Sequence, residues 1–190
     1  MKLIIASNNK HKIGEIKSIL GNHFDTILSL SEAEIDHETV EDGQTFMENA
    51  IKKATEIAKL TGCAALADDS GICAHALDNA PGVYSARFAG VHGDDEANNA
   101  LLIKMLSDKQ DKTAHYTCAM CLAYPDGTLV QAEDYLYGSI TENRRGNGGF
   151  GYDPYFVPEG EERTVAEMSA EEKNRISHRA RALSKLLEML

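Results

Sequence analysis

The sequence lacks any apolar stretch that approaches the run of about 18 residues needed to cross a membrane. The apolar run near its start, within MKLIIASNN, is also too short for the hydrophobic region of a secretory signal. We therefore expect a cytoplasmic protein that has no membrane partner.

Basic residues are scarce relative to acidic ones. The 190 residues include 19 lysines and arginines against 30 aspartates and glutamates, which gives a formal net charge of −11. Such a surface repels nucleic-acid polymers, which argues against a role in coating DNA or RNA. A small anionic substrate is compatible with this charge, provided that a local cluster of lysine, arginine or metal binds it.

A complete zinc motif is also missing. Cys118 and Cys121 have CxxC spacing, but neither a second CxxC nor a nearby histidine pair accompanies them. The surrounding segment alternates like a strand, so the two thiols should point to opposite faces. We expect reduced, buried cysteines with no metal or redox role.

The chain has the length and composition of one globular domain, residues 1–190. Hydrophobic residues make up 43% and charged residues 26%, so a sizeable core can form. Apolar patterns predict strands at 2–6, 63–67, 113–124 and 128–137, the last two forming a hairpin. Helical spacing predicts helices that end near Leu20, begin at Thr45, start at Asp94-Asp95 and begin at Ser169. Strands and helices alternate early and a hairpin comes late, which predicts an α/β fold with a mixed sheet.

Residues 7–12, with the sequence SNNKHK, form the first candidate site. A polar loop between a buried strand and a helix start offers free backbone N–H groups and the positive end of the helix dipole. Lys12 adds a charge, and this combination suits phosphate, although no GxxxxGK[ST] motif is present. The plainer interpretation is an ordinary capped helix with solvated lysines.

Asp68 and Asp69 form the second candidate site. Adjacent carboxylates at the end of an apolar strand are costly to bury together, and a divalent cation or a raised pKa relieves their repulsion. Ligands gather at the carboxyl ends of strands in α/β sheets. The plainer interpretation is an Asx turn leading into Gly71, for which one aspartate would suffice. We therefore interpret the pair as a metal or acid–base site.

Residues 148–154 form the third candidate site. Its glycines let the backbone approach a ligand closely, and Phe150 and Tyr152 offer flat faces on which a base can stack. Asp153 can accept from base N–H groups or join a metal site. A tight surface loop is the plainer interpretation.

The start of the final helix carries further polar side chains, which would equally suit a solvated helix face: Lys173, Asn174, Ser177, His178 and Arg179.

Six segments in order resemble the inosine triphosphate pyrophosphatase family in its bacterial form, the non-canonical purine nucleoside triphosphate or dITP/XTP pyrophosphatases. They lie at residues 7–15, 45–50, 67–71, 81–87, 148–154 and 172–179. The resemblance covers nearly the whole chain, and six motifs in order make a chance match very unlikely. It outweighs the plainer interpretation of each segment.

The resemblance implies hydrolysis of ITP, dITP and XTP to the monophosphate and pyrophosphate with Mg²⁺, which clears deaminated purines from the nucleotide pool. It also implies a homodimer and an elongated mixed sheet with flanking helices, in two lobes around a central cleft. Glu41 and Asp69 match the metal-binding carboxylates, and Asp69 also matches the proposed general base. The substrate-binding positions are Ser7, Asn8, Asn9, Lys10, His11, Lys12, Lys53, Ser70, Phe150, Gly151, Tyr152, Asp153, Lys173, His178 and Arg179.

Base selection follows from the 6-keto group of inosine and xanthosine, which donors such as His178 or Arg179 favour over the 6-amino group of adenosine. One departure from the family is Asn8, which stands where bacterial relatives commonly carry glycine. The related Maf-type pyrophosphatases open with a Ser-Pro-Arg-type loop that is absent here. Two further functions remain open at the level of sequence: a nucleotide sensor without turnover, and a phosphatase that releases orthophosphate.

Overall fold

The computed structural model of the protein describes residues 2–21 and 23–190. Within these residues the sheet has six strands in the order β2-β1-β3-β4-β5-β6. The strands are β1 Lys2–Ile5, β2 Thr26–Ser29, β3 Ala64–Ala74, β4 Thr113–Ala123, β5 Leu129–Ile140 and β6 Phe156–Pro158. The α-helices are α1 Lys10–Leu20, α2 Phe46–Thr61, α3 Asp95–Leu106, α4 Ala170–Ile176 and α5 His178–Leu187.

The sheet is mixed. Strand β1 pairs in parallel with β2 and β3, whereas β5 pairs antiparallel with β6. With the helices that flank it, this sheet confirms the predicted α/β fold. In the part of the chain that the structure describes, no helix is both long and apolar enough to span a membrane.

The chain divides into two compact units. Unit 1 comprises Met1–Asp69, Cys118–Asp134 and Arg179–Leu190, and unit 2 comprises Ser70–Thr117 and Tyr135–His178.

Unit 1 has a core on each face of its strands. Leu3 and Ile5 of β1 pack with residues of α1 and α5, whereas Ile4 packs with residues of α2. Both faces of β1 are therefore buried, which explains why it reads as an unbroken apolar run. Cys118 lies in the first core and Cys121 in the second, which confirms that the two thiols point to opposite faces.

The core of unit 2 is built from the end of β3, the buried side of α3, and residues of β4, β5 and β6, with Phe156 and Tyr116 among its larger members. The short helices of this unit lie at His75–Leu77, Gly82–Arg87, Asp153–Tyr155 and Val165–Glu167.

The predicted helix starts are confirmed where side-chain caps define them. The Thr45 hydroxyl accepts from the Glu48 amide while the Glu48 carboxylate accepts from the Thr45 amide, and Ser169 and Glu172 form the same reciprocal pair. Asp94 accepts from the Ala97 amide at the start of α3.

Strand β3 corrects one boundary. The sequence predicted that the strand ends at Ala67, but it continues through Asp68, Asp69, Ser70 and Gly71 to Ala74. The polar residues break the apolar pattern of the sequence but do not end the strand. Their side chains are bound by other residues inside the protein, so they can be buried on β3. Gly71 is required here, since a Cβ at this position would lie 2.3 Å from the Ser85 hydroxyl.

The final helix was also predicted wrongly, as one continuous element. It is broken at Ser177, whose ψ of 151° is extended, so that α4 ends at Ile176 and α5 begins at His178. The helical spacing of apolar residues in this segment extends to Leu190 and predicts that it is buried, but it is 57% exposed.

Candidate active site

Residues 7–12 contain the N-cap of α1, Asn9, and the first three residues of that helix. The Asn9 side chain accepts from the amides of His11 and Lys12 at 3.0 and 3.3 Å, and the Ser7 hydroxyl accepts from the Asn9 amide at 3.2 Å. The sequence predicted that these amides are free, and they are instead occupied by the cap. Asn8, Lys10 and His11 are exposed. The cationic side chains of this loop are therefore its main means of binding an anion.

Asp68 and Asp69 follow each other on β3, so their side chains point to opposite faces of the strand. This geometry explains why the two carboxylates have different partners. They are not a paired acid, as the bare dipeptide first indicated, but the centres of two separate clusters.

Asp68 is bound by two cations. Its Oδ2 lies 3.1 Å from Lys12 Nζ and accepts from Arg179 Nε and Nη2 at 3.2 and 3.0 Å. Burial alone would raise the pKa of this carboxyl, but Lys12 and Arg179 overcome it and hold the pKa well below its usual range. Asp68 therefore stays ionised at every physiological pH.

Arg179 completes this cluster through a second carboxylate. Its Nη1 donates to Glu15 Oε2 on α1, and the whole side chain is 1% exposed. Burial opposes the charge on the guanidinium, but Asp68 and Glu15 raise its pKa further above the usual range. In this structure Arg179 thus joins α1, β3 and α5 within unit 1.

Asp69 is the centre of the other cluster. Its Oδ2 accepts from Asn49 Nδ2 at 2.9 Å, and its Oδ1 lies 3.8 Å from Lys53 Nζ. Lys53 Nζ also lies 2.5 Å from Glu41 Oε1. Burial is the largest cause of a raised pKa at Asp69, with Glu41 adding to it and Lys53 opposing it. A carboxyl with a raised pKa is suited to taking up a proton.

The ammonium group of Lys53 lies between the carboxylates of Glu41 and Asp69. A metal cation at this position would contact both carboxylates. No group of three or more His, Cys, Asp or Glu side chains suited to a metal occurs among residues 2–21 and 23–190. Mg²⁺ is commonly held by one or two protein carboxylates, together with water and substrate phosphates. The two carboxylates of this cluster fit that pattern.

The glycine-rich segment of unit 2 is organised by Asp153, which is buried. Its Oδ2 accepts from the Phe150 amide at 3.0 Å and from Lys173 Nζ at 2.7 Å, and its Oδ1 accepts from the Tyr116 hydroxyl at 3.1 Å. A Cβ at Gly149 would lie 2.1 Å from Oδ2, and the φ of Gly149 is +67°. Glycine is therefore required at this position.

Two aromatic rings accompany this carboxylate. Lys173 Nζ lies 4.6 Å from the centre of the half-buried Phe150 ring, and the His178 ring stacks on Tyr116 at 4.5 Å with 7° between the planes. The structure therefore groups four predicted residues, Phe150, Asp153, Lys173 and His178, around Tyr116, which the sequence did not single out.

Tyr152 corrects a prediction, because it is not a second stacking face. Its ring is 5% exposed and packs into the core of unit 2, and its hydroxyl donates to the Ser85 carbonyl at 2.7 Å. The neighbouring Gly151 is fixed by α3, where Asp95 accepts from its amide and Asn99 donates to its carbonyl. Ser70, on β3, is partly exposed.

Glu15 and Asn49 stand in the segments that carry the family resemblance, but sequence reasoning assigned no role to them, and it did not single out Tyr116 or Asn99 for these clusters. Asn49 carried a usable signal, since it is a polar residue on the apolar side of α2 and is 1% exposed. Tyr116 and Asn99 look like ordinary strand and helix residues, and only the folded contacts identify them.

A family model described as the Ham1 family matches residues 3–189. A protein of Clostridium perfringens named dITP/XTP pyrophosphatase is 48% identical and aligns over 100% of this chain and 97% of its own length. A Streptomyces coelicolor protein of the same name is 46% identical, over 100% of this chain and 96% of its own. The solved Ham1 protein of Staphylococcus aureus has a TM-score of 0.89 at 37% identity, covering 100% and 97% of the two chains.

Proposed function

Because this chain belongs to the Ham1 family, we propose that it hydrolyses ITP, dITP and XTP to the nucleoside monophosphate and pyrophosphate. The observation that carries this proposal is the cluster in which Glu41 and Asp69 share the Lys53 ammonium, in which the pKa of Asp69 is raised. Such activity would clear deaminated purines from the nucleotide pool.

Glu41 and Asp69 would hold the Mg²⁺ ion of this reaction. When bound, the ion withdraws negative charge from the phosphate oxygens. Lys53 and Lys12 supply fixed positive charge for the same purpose from the protein side. Both lysines are partly exposed and are now paired with carboxylates, so either can exchange its partner for a phosphate.

Asp69 is the proposed base. It orients and deprotonates a water molecule whose oxygen forms a bond to the α-phosphorus, and the bond from that phosphorus to the bridging oxygen breaks. Pyrophosphate leaves as one unit. Asn49 fixes the carboxylate by donating to Oδ2, which leaves Oδ1 as the oxygen closer to Lys53.

The purine is proposed to lie against Phe150 and near Asp153 and His178. Phe150 supplies the stacking face, and His178 or backbone N–H groups supply donors to the 6-keto oxygen. Arg179 was predicted as such a donor, but its guanidinium is held by Asp68 and Glu15. Its role is better described as supporting Asp68, with His178 as the candidate donor to the base.

A product assay tests this function. The protein is incubated with ITP, dITP, XTP, GTP, ATP and dTTP in Mg²⁺, and the released phosphate species is identified by ³¹P NMR. We expect pyrophosphate and monophosphate from ITP, dITP and XTP, with much slower turnover of the others and none in EDTA. Orthophosphate as the product, or no turnover of ITP and XTP, would contradict the proposal.

From the family resemblance we also propose that the protein is a homodimer. Light scattering measures its mass in solution directly.

A further inference from the structure

Glu41, one of the two proposed metal ligands, lies in a segment that is neither helix nor strand. Neither a helical turn nor a strand ladder therefore fixes its position, and the first turns of α2 do so instead. The Gly43 amide donates to Asn49 Oδ1 at 2.8 Å. The Glu48 carboxylate accepts from the next two amides along the chain, at 2.6 and 3.1 Å. Side chains of α2 thus hold the segment on which Glu41 lies.

Asn49 joins this segment to strand β3. While its Oδ1 accepts from the Gly43 amide, its Nδ2 donates to Asp69 Oδ2 at 2.9 Å. The Asn49 side chain is 1% exposed, so water has little access to either hydrogen bond. A single buried amide therefore links the segment that carries Glu41 to the strand that carries Asp69.

The chemistry of the two partners explains why an asparagine stands at position 49. A backbone N–H can only donate and an ionised carboxylate can only accept, so the group between them must accept on one side and donate on the other. The amide of asparagine does both. Aspartate and leucine have nearly the same size, but aspartate only accepts and leucine does neither.

Gly43 permits the close approach of the two elements. A Cβ at this position would lie 2.6 Å from Asn49 Oδ1 and 2.9 Å from the Cβ of Glu48. A larger residue would push the segment away from α2, and Glu41 would move with it. The contact between Gly43 and Asn49 therefore affects where the Glu41 carboxylate lies.

We propose that Asn49 is a positioning residue for the divalent cation: it sets the separation of the Glu41 and Asp69 carboxylates by binding the Gly43 amide on one side and Asp69 on the other. The inference rests on the part of the proposed function that assigns these two carboxylates to the metal. Partners of this kind orient the carboxylates that bind a metal, and their loss weakens its binding. The same amide that holds Asp69 thereby also governs Glu41.

The first test is Asn49→Leu, which keeps the size of the side chain and removes both polar groups. Titration with Mn²⁺ alone, followed by electron paramagnetic resonance, should show that the dissociation constant rises about tenfold relative to the wild type. Gly43→Ala is the second variant. It leaves Asn49 and Asp69 intact and displaces a half-buried loop residue, and it should also weaken Mn²⁺ binding. It decides the question if Asn49→Leu does not fold.

Repeating both substitutions in a Glu41→Gln background shows whether they act through Glu41. Once that carboxylate is gone, the effect of Gly43→Ala on Mn²⁺ binding should disappear. The effect of Asn49→Leu should shrink, since only its contact with Asp69 remains. A general structural defect would weaken Mn²⁺ binding equally in both backgrounds, so full additivity overturns the proposal.

Asn98→Leu is the matched control, because Asn98 on α3 is also a buried asparagine that joins two partners. It is 2% exposed, accepts from the Ala89 amide at 2.8 Å and donates to the Ala86 carbonyl at 3.2 Å. Urea denaturation should show that it loses stability as Asn49→Leu does, while its Mn²⁺ dissociation constant stays that of the wild type. An equal loss of Mn²⁺ binding in this control overturns the proposal.

Mn²⁺ binding separates this inference from the proposed function, because no nucleotide is present. Weaker binding by both variants supports the inference even if the wild type releases no pyrophosphate from ITP, in which case only the proposed function fails. Unchanged binding by either folded variant overturns the inference, whether or not turnover is observed. A wild type that binds no Mn²⁺ overturns it as well.

Discussion

The carboxylate cluster around Asp69 and the one around Asp153 satisfy their charges in different ways. In unit 1, Asp69 and Glu41 share a lysine, and Asp69 Oδ1 lies 3.8 Å from it, so this cluster can exchange one cation for another. In unit 2, Asp153 has three directional donors and is closed to most new partners. The difference indicates that the first cluster is suited to chemistry and the second to recognition.

The largest expected effect comes from Asp69→Asn. The substitution removes the proposed base and one metal ligand, and we expect kcat for ITP to fall about 10³-fold or more. Asn49 and Lys53 remain, so the fold should be retained, as measured by circular dichroism and thermal unfolding. A variant that keeps near-normal turnover would remove Asp69 from both roles.

The adjacent substitution, Asp68→Asn, should affect stability instead. It leaves Arg179, which is 1% exposed, and Lys12 without their shared charge. Removal of one partner from a buried ion pair costs about 3–5 kcal/mol in the free energy of unfolding. Urea denaturation of both aspartate variants measures the contrast, and equal losses would show that the two carboxylates are not distinct.

Lys53→Met tests whether a metal cation can replace the Lys53 ammonium group between Glu41 and Asp69. Without the ammonium, Glu41 and Asp69 repel each other, and a divalent ion should bind them about tenfold more tightly in the absence of nucleotide. Titration with Mn²⁺ followed by electron paramagnetic resonance measures this affinity. The control is Lys52→Met, one residue away on α2, whose partner is Asp42. If both variants bind Mn²⁺ like the wild type, Lys53 does not occupy the cation position.

The smallest effect is expected at an exposed carboxylate outside both clusters. Hydrogen bonds from Lys17 and then from the Ser29 amide lower the pKa of Glu32 from 4.5 to about 2. Its contribution to stability is therefore fully present above the ordinary pKa and is lost as the pH falls towards 2. Glu32→Gln should lower Tm slightly at pH 7 and not at pH 2. Glu38→Gln, at an exposed loop position, should have no effect at either pH.

Local sequence patterns predicted helix starts and strands correctly where a single physical effect determines them. The capping boxes at Thr45 and Ser169 marked two helix starts, and the apolar run at 2–6 marked β1, because caps and buried strands depend on neighbouring residues. The final helix failed at Ser177, where an extended residue interrupts a good helical pattern. Serine is a common residue at helix starts, but the apolar spacing continues across Ser177 and outweighed that signal.

The candidate site was predictable only in part. The family resemblance matched Glu41 and Asp69, and both carboxylates lie close to Lys53. It also matched Lys173 and His178, which lie near the glycine-rich segment. The sequence could not predict which residue each of these side chains binds, because the binding partners are distant in sequence. Arg179 is held by Glu15, 164 positions away, and Asp153 by Tyr116, 37 positions away.

The alternation of Asp68 and Asp69 along β3 also has a consequence for folding. Strand β3 aligns with β1 so that Leu3 lies opposite Ala64 and Ile5 opposite Leu66. A slip of one residue would turn each β3 side chain to the other face, so that Asp68 would leave Lys12 and Arg179, and Asp69 would leave Asn49 and Lys53. The polar partners that lie on each face therefore favour the observed alignment of β3 over the slipped one.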